Sequence, residues 1–477
     1  MNFEVIFSKE SSAINIIKNF LLIERKKLKL TRICIAGENK GKKLLTWIIN
    51  RYLKFRQGKR NPKAHGLFVY VKNNCYIDFN SNFITYFLDQ NCDILYGDSV
   101  VSYETGVWYE AKPKLSIELL KTTDYFGDVI VSRINFGTDF QFRKLALAGG
   151  LDAYVISNIE KSLSNRQGQF SKIDQAPILH DSHEDKLVLE TELNLLHTTF
   201  IPISVIIPTA FKIDGRFNLQ NCIDNLIVAF RNHEIEIIVL FHEDDLNQFP
   251  ILDLKLYSKL RIKKITYSYG FNFSKVVNTG IKEAENESII IMNDDVLLDS
   301  GFDSRHLLSH LESDKKFGKI GAVGIKLLDL DFNIVHAGIQ YKSGEPRHFL
   351  NGTPSNQLKH IHNVCREVSG ITGAFLLTTK SILDLIGNFN EDLPLDYNDV
   401  DLMLRFEKSD MKIIFCSKCT GFHNESMTRG ESSLSTLTTE LQKLVKLHGN
   451  LPERDPYLYT PAVRISTKYQ TKMKISR

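Results

Sequence analysis

Apolar residues in this chain come in short unbroken runs, each cut off by a polar cluster. ISVIIP (203–208), IEIIVLF (235–241) and SIIIM (288–292) are the clearest. Runs of this length, rich in Ile and Val, predict strands buried on both faces, as in a parallel sheet. Between them lie segments with helical spacing, FNLQNCIDNLIVAF after the first run and a helix from about Ser274 before the third. This βαβαβ alternation predicts a doubly wound α/β sheet that begins sharply at Ile201. Further on, the pattern predicts strands with turns in FGKIGAVGIKLLDLDFNIVHAGIQY, then a loop, a buried strand and a short helix in VCREVSGITGAFLLTTKSILDLIG. PLDYNDVDLMLRFEKSD reads as an acidic loop running into a helix with Val400, Met403 and Leu404 inward, MKIIFCSKCTGFHNESMTRG as a strand and a polar loop, and 436–450 as a helix.

The N-terminal part repeats this rhythm in a worn form. RICIAGENKG reads as a strand and a Gly-containing loop, LLTWIINRYLKF as a helix, and GLFVYV as a strand that breaks at Asn73-Asn74-Cys75. The third run of the later part breaks at Asn293-Asp294-Asp295 instead. A diverged internal repeat accounts for the shared order, and so does generic α/β rhythm. The expected organisation is an N-terminal α/β domain over 1–182, a charged connecting helix over 183–200, a second domain over 201–435, and a C-terminal helix with a basic tail over 436–477.

Composition narrows the class. With 477 residues, 43% hydrophobic and 24% charged, the chain can fill two or three cores and is not a disordered one. The net charge of +4 is too small and too dispersed to argue for nucleic acid. Seven scattered Cys suggest reduced thiols rather than a disulfide framework. Cys416 and Cys419 form a C-x-x-C pair, but no second ligand pair at zinc-site spacing accompanies it, and two thiols along a strand is the better reading. No leader peptide and no apolar run of about 20 residues is evident, which predicts a soluble, cytoplasmic protein. Two basic clusters, Arg25 to Lys29 and the tail from Thr460, could touch an anionic membrane surface.

Three places carry candidate chemistry. Ligands of open α/β sheets bind at the carboxyl ends of strands, where Asp294 and Asp295 stand. Asp399 and Asp401 flank the start of a helix, and His423 follows the last strand. Each has a plain explanation alone: a solvated acidic turn, an N-cap, a polar loop. Together they make an oxygen-rich set suited to Mg²⁺, with an imidazole that tips the preference toward Mn²⁺. Such a cation would neutralise a departing diphosphate, while a separate carboxylate takes a proton from an attacking hydroxyl.

The motifs ISVIIPT, GFNFSKVVNTGIKEA, IMNDDV, VGIKLLD, VHAGIQY, ITGAFLLT, YNDVDLMLR and FHNESMTRG, in this order over 201–430, resemble inverting nucleotide-sugar glycosyltransferases of family 2. The bacterial members that build O-antigen and capsule are the most similar. That resemblance implies the GT-A fold, a Rossmann-like mixed sheet with helices on both faces, preceded here by a degenerate GT-A-like α/β domain. It implies Asp295 and His423 as metal ligands for Mn²⁺ or Mg²⁺, and Asp399 as the base. It implies Pro208, Thr209, Asn278, Asp294 and Arg429 on the donor side, and Asp401 and Thr372 on the acceptor side. The implied donor is a UDP- or dTDP-sugar and the implied acceptor a glycan or lipid-linked glycan, at the cytoplasmic face of the inner membrane. One position departs from the family. Phe241 stands where the second strand usually ends in a base-reading Asp, with Glu243, Asp244 and Asp245 just beyond, so the base stays open among uracil, thymine and guanine. Two rival readings remain. One is a non-catalytic glycan-binding or scaffold subunit. The other is a nucleotidyltransferase, for which PTAFKIDGRF is a poor triphosphate loop.

Overall fold

The structure, a computed structural model, describes the strands of the first 156 residues and then residues 201–211, 218–251, 261–312, 319–424, 434–453, 455–457 and 460–464. The connecting segment 183–200, the break at Asn73-Asn74-Cys75, the cluster Arg25 to Lys29 and the tail beyond 464 lie outside the described residues. The chain divides into two compact units, Met1–Ile178 with Tyr459–Arg477, and Leu179–Leu458.

The first unit contains β1 (Phe3–Phe7), β2 (Leu30–Ile35), β3 (Leu67–Val71), β4 (Ile94–Gly97), β5 (Ser99–Tyr103), β6 (Gly106–Ala111), β7 (Val129–Ser132) and β8 (Ala153–Ile156). Six of them form a sheet in the order β2-β1-β3-β7-β4-β8, parallel at β1–β2 and β1–β3. GLFVYV is indeed a strand at its centre, as its apolar run predicts. The basic tail was read as starting at Thr460, yet Thr460–Arg464 forms a strand that pairs antiparallel with β6. Its TPAVR sequence is uncharged until the last residue, so the basic character begins only at the strand's end, Arg464.

The second unit is built on one mixed sheet. Its first strands are β9 (Ile203–Pro208), β10 (Ile235–His242), β11 (Arg261–Tyr267) and β12 (Ser288–Met292), all parallel, in the order β11-β10-β9-β12. Then come β13 (Val296–Leu298), β14 (Ile320–Leu328), β15 (Asn333–His336), β16 (Ile339–Lys342), β17 (Glu345–His348), β18 (Thr353–Pro354), β19 (Arg366–Glu367), β20 (Phe375–Thr379) and β21 (Lys412–His423), of which β16 and β17 pair with each other as a separate two-stranded sheet. β20 pairs antiparallel with β12, which makes the sheet mixed, and β21 pairs with β13, β14 and β19.

Alternate side chains of each buried strand serve opposite faces. Ile203, Val205 and Ile207 pack with α1 (Leu219–Ala229) and α3 (Ser304–Glu312). Ile206, Ile238 and Ile291 pack with α2 (Phe273–Glu283), α4 (Lys380–Ile386) and α5 (Asn398–Lys408). The fold is therefore α/β with helices on both faces, as expected. α2 approaches β9 so closely that a Cβ on Gly280 would sit 2.5 Å from Ile206 Cγ2. A last helix, α6 (Leu434–His448), lies close to the predicted 436–450 and buries Leu444 beside Val400 and Leu404 of α5.

Candidate active site

The strand order places β10 and β11 on one side of β9 and β12 on the other. That reversal is a topological switch point, and open α/β sheets bind ligands at such a point, past the carboxyl ends of the two strands. β9 ends at Pro208 and continues to Thr209; β12 ends at Met292 and continues to Asn293-Asp294-Asp295. The two ends are joined by a hydrogen bond, in which Thr209 Oγ1 donates to Asp294 Oδ2 at 2.5 Å. Thr209 in turn accepts from the backbone N of Phe211 at 2.9 Å. Cys222 of α1 lies beneath the acidic turn, with its Sγ 3.9 Å from the Asn293 carbonyl. Burial pushes this thiol well above its ordinary pKa, and the charges of Asp294 and Asp295 push it further. It stays protonated.

His423 reaches this turn because β13 runs straight on from it. β13 pairs antiparallel with the end of β21, so that Val296 opposes His423. The His423 Nε2 atom comes to 3.2 Å from Asp295 Oδ1, with both side chains buried. Among the described residues His423 Nδ1 has no hydrogen-bond partner. One carboxylate oxygen and one imidazole nitrogen, converging at a strand end, fit a Mn²⁺- or Mg²⁺-type donor set that keeps room for ligands from a substrate.

Asp399 is linked to the same turn through β20. The Asn293 backbone N donates to the Ala374 carbonyl at 3.0 Å, and the next residue back, Gly373, donates its N–H to Asp399 Oδ2 at 3.1 Å. Asp399 Oδ1 accepts from Val400 N at 2.8 Å. Helix α5 does not start on an Asn398 or Asp399 cap, as expected, but one residue earlier at Tyr397, whose φ is 56°. Asp399 is thus in the first turn of α5.

Residues 237–430 match the sequence profile of a glycosyltransferase-like family. The O-antigen biosynthesis protein RfbC of Myxococcus xanthus is 24% identical over 270 residues, covering 55% of this chain and 20% of that protein. The chain therefore spans about a fifth of the length of this relative. The second unit carries a glycosyltransferase-like domain. Among solved structures, GalNAc-T7 with UDP, GalNAc and Mn²⁺ aligns at a TM-score of 0.40 with 11% identity, over 52% of this chain and 48% of that one. The mannosyltransferase PcManGT of Pyrobaculum calidifontis, in complex with GDP-Man and Mn²⁺, aligns at 0.37 with 14% identity, over 56% and 73%.

The other expected site residues have the following partners. Asn278 Nδ2 donates to the Phe389 carbonyl at 2.9 Å and to Glu391 Oε1 at 3.1 Å, and its Oδ1 accepts from Phe389 N at 3.0 Å. Its amide is spent on holding the 389–391 loop against α2. Asp401 is buried; one oxygen accepts from Arg405 at 2.7 Å and the other lies 2.7 Å from His448 Nε2 of α6. Thr372 is buried and accepts from Ala374 N at 3.3 Å, bracing the loop that carries Gly373. Phe241 is a core residue, edge-on to Phe211 at 5.2 Å, so the last buried position of β10 offers no polar group. Glu243 and Asp244 follow it and are exposed, at the start of a 3-10 turn. Arg429 lies outside the described residues.

Two features were missed by sequence reasoning. The first is His336, at the end of β15. Its Nε2 accepts from the backbone N–H of Gly338 at 3.3 Å and of Thr372 at 3.4 Å. Its Nδ1 therefore carries the proton and donates to His348 Nδ1, 2.9 Å away. Burial lowers the His336 pKa well below the ordinary histidine value, and His348, His423 and Arg366 add to that. A neutral His336 fixes the 370–373 loop from behind. The VHAGIQY motif contains it, but its partners are visible only in three dimensions. The second feature is a cluster of His310, Cys365 and Cys416, whose ligand atoms lie within 4.8 Å of one another.

Proposed function

We propose that the second unit is a metal-dependent inverting glycosyltransferase. It moves a sugar from a nucleoside-diphosphate donor, a UDP- or dTDP-sugar, to a hydroxyl of a glycan or lipid-linked glycan acceptor in surface-polysaccharide assembly. The observation that carries this reading is the convergence at the β9/β12 switch point. Asp295 and His423 are 3.2 Å apart there, and Asp399 is tied to the same turn through Gly373 and Ala374.

Asp399 accepts the proton of the acceptor hydroxyl. The freed oxygen bonds to the anomeric carbon from the face opposite the diphosphate. The bond from that carbon to the diphosphate oxygen breaks, its electron pair leaves with the nucleotide, and the configuration inverts. Asp295 and His423 are the residues that would hold Mn²⁺ or Mg²⁺, which when bound supplies charge to the leaving diphosphate. Thr209 keeps Asp294 aimed across the switch point, where it meets the donor. Pro208 closes β9 beside it. Asn278, Asp401 and Thr372 enter as anchors of the loops around the donor and the base. Where the chain works is part of the same reading: at the cytoplasmic face of a membrane that bears the acceptor lipid. Among the described residues no helix is long and apolar enough to cross a membrane.

The test is nucleotide binding by calorimetry with UDP, dTDP and GDP, each with and without Mn²⁺. The reading expects one of the three to bind at least tenfold more tightly with Mn²⁺, and Asp295→Asn to abolish that gain. If no nucleotide responds to Mn²⁺ in the full chain, the protein is not a metal-dependent transferase, and a glycan-binding subunit becomes the better account.

A further inference from the structure

We propose that His310, Cys365, Cys416 and Cys419 form a structural zinc site that braces the strand carrying His423. The site lies apart from the acidic turn and does not depend on the function proposed above.

Three separate segments deliver the donors. His310 is in the last turn of α3, Cys365 immediately precedes β19, and Cys416 and Cys419 are in β21. The ligand atoms of His310, Cys365 and Cys416 are mutually within 4.8 Å. Neighbouring ligands of tetrahedral zinc are about 3.5–3.8 Å apart, given bonds of about 2.3 Å to sulfur and 2.0 Å to nitrogen. Shifts of about an ångström would close the set. Cys419 is the fourth donor within reach: it interacts with Cys416 directly, although its Sγ now lies 3.6 Å from the Asp303 carbonyl.

The strand is shaped for this. Cys416 opposes Ile325 and Thr420 opposes Lys326, so residues 417–419 bulge out of the ladder with β14. The bulge turns both thiols of the C-x-x-C pair toward α3, where Cys416 Sγ approaches the His306 carbonyl at 3.9 Å. Bulges of this kind re-aim side chains and are costly to the ladder. Two fully buried thiols and a third that is half-buried surround a buried imidazole in an otherwise apolar core. A disulfide would explain two sulfurs but neither the third nor the histidine. Sulfur and nitrogen donors select zinc, whereas the oxygen-rich turn near Asp295 favours Mn²⁺ or Mg²⁺. The chain would then hold two metals of different chemistry. From the bulge, β21 runs directly to His423, so the zinc would set the height at which that imidazole meets Asp295.

The experiment is metal analysis of the full chain, purified under reducing conditions and passed through EDTA. We expect about one zinc per chain in the wild type, in Asp295→Asn and in Cys222→Ser, and a loss of most of it in Cys416→Ser and His310→Ala. Replacement by Co²⁺ in the wild type should give a thiolate-to-cobalt charge-transfer band, a readout that does not require any variant to fold. Zinc-free wild-type protein with no thiolate band on Co²⁺ addition would overturn the proposal. So would an unchanged zinc content in Cys416→Ser, or a Cys365–Cys416 disulfide in freshly purified protein.

Discussion

The amide of Asn278 makes three hydrogen bonds to a loop more than a hundred residues away in sequence. Each contributes about 1 kcal/mol net, and leaving Phe389 N buried without a partner adds to the loss. Asn278→Ala should cost about 3 kcal/mol and lower the melting temperature by several degrees, while nucleotide affinity in the presence of Mn²⁺ changes less than threefold. A tenfold loss of affinity with an unchanged melting temperature would return Asn278 to the donor site. The same logic applies to Asp401, whose carboxylate is divided between Arg405 and His448. Sequence showed polar residues of the right type in the right motifs. It could not show that their capacity for hydrogen bonds was already filled, because the partners are distant in the chain. Asp295 and His423 stand out for the opposite reason. Their chemistry is unusual in a buried place, and a strand end is where such chemistry can meet a ligand.

At the scale of elements, the sheet is held at the end opposite the acidic turn by one buried carboxylate. Glu236 of β10 accepts from Ser204 Oγ of β9 at 2.6 Å and from the Glu285 backbone N at 3.1 Å, and pairs with Lys263 of β11 at 2.8 Å. Three neighbouring segments are thereby fixed in register. Burial alone would raise the Glu236 pKa, but the bonds from Lys263, Ser204 and Glu285 N outweigh it and hold the pKa below the ordinary value. The folded-state pKa is thus lower than the unfolded one. The stabilisation is fully present above the unfolded value of about 4.3 and is lost as pH falls through the folded one. Melting curves of the wild type and Glu236→Gln should differ most at pH 6–7 and converge toward pH 3; a constant gap over that range would contradict the assignment. The strands themselves were legible, since an unbroken Ile and Val run has few other fates. The short β13 was not, because three residues carry no period. Yet its pairing with β21 is what brings His423 to the acidic turn.

For the whole molecule, the second unit contains its own two-faced core, its own switch point and every described candidate residue of the site. The first unit contains a six-stranded sheet with parallel pairing at β1–β2 and β1–β3, and the chain returns to this unit at Thr460–Arg464. That return was not legible, since a β-strand pairing over this distance leaves no local signal and the sequence marked this segment only as a basic tail. The zinc cluster was hidden similarly. A C-x-x-C pair looked incomplete because its partners, His310 and Cys365, lie on elements far apart in sequence. The parallel sheet and its acidic strand end were readable because a single local pattern encodes each of them.

The central claim is that Asp399 removes the proton from the attacking hydroxyl. The most direct measurement is release of nucleoside diphosphate from the donor that binds with Mn²⁺, by wild type and Asp399→Asn, with water or an added sugar alcohol as acceptor. Asn can still accept from Gly373 N, so the loop should hold and donor affinity should stay within threefold. The account predicts that turnover falls by about 10² to 10⁴. Turnover within fivefold of wild type, with donor affinity unchanged, would contradict it.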